Sequence, residues 1–100
     1  MKLEDSAELE HNKINSETAK ISWRELQAHF ASGATIYVEP SMDLVNVALK
    51  ISKNDTAAVK EWMEKGLLAP VNDQQAAKWL ESDAMMWSVV IRPWILVQES

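Results

Sequence analysis

Residues Met85–Ser100 read MMWSVVIRPWILVQES, and the fold turns on what this stretch becomes. From Trp87 to Val97 nearly every side chain is β-branched, aromatic or aliphatic, which suits a pleated surface covered on both sides. Fully extended at about 3.3 Å per residue, this run would reach roughly 36 Å, longer than the ~26 Å diameter of a domain of about 100 residues. It must bend or break. Pro93 is the natural place, because it donates nothing to a β-ladder and pushes Arg92 toward extended or turn geometry. The segment is therefore expected to be the central strand, or strand pair, of the molecule.

Working outward, 100 residues with 47% hydrophobic and 25% charged content describe one domain with one core. Zero cysteines exclude disulfides, thiolate metal sites and cysteine nucleophiles, and agree with a reducing compartment. The opening residues MKLEDSAELEHNKINSE carry no apolar signal segment, and no run approaches the ~20 apolar residues of a membrane span. A cytoplasmic location is the resulting expectation. A net charge of −5 disfavours any role built on broad phosphate neutralisation.

Residues 1–14 are polar and charged and read as a mobile arm, with a single globular domain over 15–100. Ser16 is placed to cap a helix, and Ser22–Glu25 reads as a second start signal of the S-x-x-E type. Trp23, Leu26 and Phe30 then recur at helical spacing, with Gly33 just past the end. Ala34–Glu39 reads as a strand stopped by Pro40. Ser41 or Asp43 caps a heavily apolar helix over Leu44–Ile51. Ser52–Asp55 is a turn, and Asp55 caps a helix carrying Val59, Trp62 and Met63 on one face and closed by Gly66. Leu68–Val71 reads as an extended link. Asn72 or Asp73 caps a last helix with Ala76, Ala77 and Leu80 inward.

The order helix, strand, helix, turn, helix, then two strand segments around a proline resembles a winged helix-turn-helix with one inserted helix. Locally, Asp43–Leu68 resembles a helix-turn-helix pair, although any two capped amphipathic helices give a similar string. A broader resemblance runs through ETAKISWREL (Glu17–Leu26), MDLV (Met42–Val45) and SDAMMWSVVIRPWILVQE (Ser82–Glu99). These segments resemble a bacterial family of roughly 100-residue proteins classed as a domain of unknown function, numbered 2288. The resemblance implies no activity, cofactor or catalytic residue.

The candidate chemistry is sparse. Between Lys50 and Lys65 four lysines face Asp55, Glu61 and Glu64, with no arginine, which speaks against a recognition helix for DNA. His11 lies in the arm and His29 on the first helix, without the spacing of a metal or general-base site. Glu39 and Asp43 flank Pro40 and read as edge and cap residues. Arg92 stands out, because on an extended strand it shares a face with Val90, Trp94 and Leu96. There it needs a partner: an internal salt bridge to Glu39, Asp43 or Glu25, or an anionic ligand in a pocket roofed by Trp87 or Trp94. The five tryptophans with Met85 and Met86 exceed what a small core hides easily. Trp79, beside Lys78, is the leading candidate for an exposed partner contact.

The reading is an α+β domain of about four short helices packed on a small antiparallel sheet, in a modified winged-helix arrangement. It has no catalytic residues, cofactor or metal. Its role is a non-enzymatic protein-interaction module, self-association included, with Arg92, Trp94, Trp79 and Trp87 as candidate contacts. A helix-turn-helix regulator and a binder of a small anion at Arg92 are the alternatives.

Overall fold

The computed structural model describes residues 12–100. Residues 12–17 are helical (α1), followed by β1 (Ala19–Ser22), α2 (Trp23–Ala31), β2 (Thr35–Val38), α3 (Leu44–Ser52), α4 (Thr56–Glu64), β3 (Leu68–Pro70), α5 (Asp73–Glu81), β4 (Met85–Ile91) and β5 (Trp94–Glu99). The expected α+β class holds, with five helices and one five-stranded sheet among the described residues.

The C-terminal stretch is the hairpin β4–β5. It turns at Arg92 and Pro93, with a cis peptide bond between them, and its register pairs Val89 with Leu96 and Ile91 with Trp94. The strand order is β1-β4-β5-β2-β3, so the hairpin occupies the middle. The sheet is mixed rather than antiparallel, because β2 runs parallel to β5 while the other pairs are antiparallel. A wing hairpin laid beside a helical trio is therefore not the plan here. The link expected over Leu68–Val71 is instead an edge strand, ladder-bonded to β2. Pro70 is tolerated there because the outer side of an edge strand needs no donor. The strand β1, too short to show a period, was not expected at all.

Both sheet faces are covered, which explains the apolar run from Trp87 to Val97. One face carries Ile36, Val38, Leu68, Val89 and Leu96 against Leu44, Val47 and Ala48 of α3, with Ile14 of α1 and Val59 and Trp62 of α4. The other carries Met86, Ile95 and Val97 against Trp23 and Leu26 of α2 and Ala76 and Trp79 of α5. The result is three layers, helices on both sides of a sheet, with two apolar clusters where a single core was expected.

Helix boundaries follow local chemistry. Ser22, Asp43, Asp55 and Asn72 each cap a helix through a side-chain oxygen, and Asn72 with Gln75 forms a full capping box. At the C-terminal ends, the chain turns left-handed at Gly33, Asn54, Gly66 and Asp83. In α4 the N–H of Gly66 donates to Met63 O and that of Leu67 to Trp62 O, the paired bonds of a Schellman motif. Ser16 does not start a helix. It lies at the end of α1, where its hydroxyl donates to Lys13 O at 2.8 Å. Of the expected arm, residues 1–11 lie outside the described residues, and Ile14 is only 7% exposed.

Candidate functional site

A broad concavity lies on the α3–α4 face, where α4 stands away from the β3–β2–β5 end of the sheet. It is an open groove of about 870 Å³. The sheet contributes Ile36, Leu68, Ala69, Pro70 and Trp94, and the helical side contributes Ile51, Val59 and Met63, with Asp55, Lys60 and Glu64 also on the lining. Size and lining fall within the range of ligand and peptide clefts.

The groove exists because of two local choices. Helix α4 has no fully buried residue, since Val59 and Trp62 are only partly covered and Met63, expected on the packed face, is 52% exposed. A helix with so little cover leaves a gap over the sheet. At the sheet end, the hairpin turn at Arg92–Pro93 brings Trp94 to the start of β5, where Ile95 N–H donates to Ala34 O at 2.9 Å beside Gly33. Trp94 is paired with Ile91 on the groove face and remains 41% exposed.

The other candidates fall elsewhere. Trp79 is not a surface contact, because it is 3% exposed and stacks edge-on with Trp23 at 5.0 Å. On α5, Ala76 and Trp79 are three residues apart and share the inward stripe, while Ala77 points to solvent. Trp87 is on the same sheet face as Trp94 but far along the ladder, opposite Gln98, and its ring lies 5.1 Å from Lys20 Nζ. Arg92 is exposed in the hairpin turn, off the apolar row, and no carboxylate of the described residues lies within salt-bridge distance. The internal pairing expected for it is absent. Glu39 accepts from the backbone N–H and hydroxyl of Ser41, and Asp43 accepts from Val45 N–H and Asn46 N–H, so both are committed to local turns. His29 is an exposed last-turn residue of α2, and His11 lies outside the described residues. No cluster of three or more histidine, aspartate or glutamate side chains able to hold a metal occurs among the described residues.

Sequence reasoning missed the groove itself. Its signal was the pairing of a weakly apolar α4 with an exposed Met63, but that reads as a groove only once β3 is known to be a strand beneath it.

Electrostatics elsewhere centre on Tyr37. Its hydroxyl donates to Glu99 Oε1 at 2.9 Å on the α2–α5 side of the sheet. Burial, the hydrogen bond to Glu99 and the charges of Glu99 and Glu39 push its pKa up to about 12. The ion pairs Arg24–Asp83, Lys50–Asp55 and Lys65–Glu61 lie at 3.7–3.8 Å in exposed settings and contribute little each.

No helix among the described residues is long and apolar enough to cross a membrane. Comparison with curated proteins finds no match. Among solved structures, the chain is similar to the NMR solution structure of PA1075 from Pseudomonas aeruginosa, at 37% identity and a TM-score of 0.80, covering 99% of this chain and 92% of that one. The model of the protein family of unknown function DUF2288 matches residues 10–99. With that match across almost the whole chain, the protein belongs to the DUF2288 family.

Proposed function

We propose that this protein is a non-enzymatic cytoplasmic interaction module, and that the groove between α4 and the sheet holds an apolar segment of a protein partner. The observation that carries this reading is the joint exposure of Trp94 and Met63 on one concave, mostly apolar surface. Large apolar side chains gathered in a cleft and left open to water favour a partner that covers them. The helix pair α3–α4 supports a protein contact better than a DNA contact. Glu61 and Glu64 are exposed on α4, where Lys65 is paired with Glu61 at 3.7 Å and Lys60 is balanced by Glu64 one turn on, so the helix presents no net positive face to phosphate.

Site-specific photo-crosslinking in cells tests the reading. A Met63→p-benzoylphenylalanine variant is expected to give a discrete protein adduct that is lost when Trp94→Ser is added. The same probe at Lys78, exposed on α5, is expected to give none. Equal adducts at both positions, or none at Met63, would refute the groove as the working surface.

A further inference from the structure

The sheet has two edges, and only one of them is blunted by a proline. At β3, Glu39 N–H donates to Leu67 O and Val71 N–H to Thr35 O, so alternate residues bond inward to β2 and the backbone of Leu68 and Pro70 faces outward. Pro70 has no N–H, which leaves Leu68 as the outward donor of that strand. At β1, Trp23 N–H donates to Ala84 O at 2.9 Å and continues the ladder in which Ile21 faces Met86 and Ala19 faces Ser88. The same alternation turns the N–H groups of Lys20 and Ser22 and the C=O of Lys20 outward. No hydrogen bond of the described residues reaches these three groups.

We propose that β1 is a docking edge, at which an extended segment of a partner protein adds as a sixth strand. The surface is separate from the groove, and the inference stands whether or not the groove is occupied. Backbone groups held in β geometry without partners recognise an extended chain, and the side chains beside them decide which chain. Here those side chains are Lys20 and Ser22, which lie opposite Trp87 and Met85 on one face of the sheet, and both of these large apolar residues are exposed. A lysine on an edge strand ordinarily guards it by standing out from the ladder. Lys20 is instead drawn inward, with its Nζ 5.1 Å from the Trp87 ring, and it has no carboxylate within salt-bridge distance among the described residues.

The incoming residue opposite Lys20 shares its face, so an aspartate or glutamate there meets an unpaired cation. The incoming residue opposite Ser22 passes over a small side chain toward Met85 and Trp87, where a large apolar group covers exposed surface. Antiparallel pairing is the more stable arrangement, and it places the apolar residue two positions before the acid. The partner segment therefore reads large apolar, any residue, acid.

The test is selection of phage-displayed random decapeptides on the full chain, followed by titration of a recovered peptide into nitrogen-15-labelled protein. The recovered sequences are expected to share the apolar, any, acid spacing. The peptide is expected to shift the amide signals of Lys20 and Ser22 and to leave those of Met63 and Trp94 in place. N-methylation of the peptide at its acid removes the donor to Lys20 O and is expected to weaken binding about fivefold or more. Lys20→Pro removes the outward N–H, as Pro70 does at the other edge, with a similar loss. Lys20→Glu keeps the backbone and sets like charges together, for a loss of about tenfold. A selection without the motif, shifts at Met63 and Trp94 instead, or binding indifferent to N-methylation and to Lys20→Glu overturns the inference. Shifts of Lys20 and Ser22 on raising the concentration of the chain alone would give the edge to a second copy and overturn it as well.

Discussion

Trp23 and Trp94 have the same side chain and opposite situations. Trp23 is fully buried between Phe30 and Trp79, and its indole N–H has no hydrogen-bond partner among the described residues. Its dispersion contacts and buried area must outweigh that orphan donor, since an unpaired buried N–H costs about 1–3 kcal/mol. Trp23→Ala is therefore expected to lower unfolding free energy by about 3–5 kcal/mol, whereas Trp94→Ala should stay within about 1 kcal/mol in the monomer. Urea titrations followed by circular dichroism measure both, and similar losses would mean that Trp94 is packed. Tyr37 offers a second check at this scale. As the sole tyrosine, it titrates without overlap, and its pKa of about 12 lies above the ordinary 10. The raised value means that the folded state resists losing the proton. Its contribution is complete below pH 10 and falls away as pH rises from 10 toward 12. Glu99→Gln removes the charge and weakens the hydrogen bond, so tyrosine absorbance should then titrate at lower pH. An unchanged midpoint would leave burial, the leading cause, as the whole account.

At the scale of elements, the ends of helices were easier to read than the edges of the sheet. Four N-caps carry oxygen side chains that bond nearby backbone N–H groups, and Gly33 and Gly66 mark two of the left-handed exits. Asn54 and Asp83 hold the same left-handed conformation at the ends of α3 and α5, and their short polar side chains gave no comparable signal. A methyl group added at Gly66 meets nothing within 4 Å, so only its φ of +74° opposes substitution. Gly66→Ala is expected to cost about 1–2 kcal/mol, and Gly66→Asn less, because Asn54 shows how that residue fills the same role. Equal losses in thermal unfolding would contradict the backbone origin of the effect. The strands β1 and β3, of four and three residues, lack the length for period-2 alternation, and Leu68–Pro70 contains a proline. Their pairing depends on distant partners that local patterns do not encode. Trp79 was misplaced for a similar reason: adjacency to Lys78 outweighed its three-residue spacing from Ala76, which sets the buried stripe of α5.

At the scale of the molecule, the β4–β5 hairpin belongs to both apolar clusters. Leu96 serves the α3 side and Met86 the α2–α5 side, and each is fully buried. Leu96→Ala and Met86→Ala should each cost about 2–5 kcal/mol, so neither helical layer is an accessory; a loss below about 1 kcal/mol at either position would contradict the three-layer account. The middle position of the apolar hairpin was legible because a run covered on both sides needs few polar residues. The candidate site was not, since it is a gap between α4 and strands whose order is a long-range property. Trp94, named as a candidate contact, is exposed on the groove, while the internal salt bridge that was one of the two readings of Arg92 does not form, because the turn carries the side chain away from the acids named for it.

The most direct measurement follows the methionine methyls of the carbon-13-labelled chain by NMR, alone and in a lysate of the cells that make it. The account predicts that the exposed Met63 methyl shifts or broadens in the lysate, and that Trp94→Ser abolishes the change. A change at Met85 instead, or none at Met63, would contradict it.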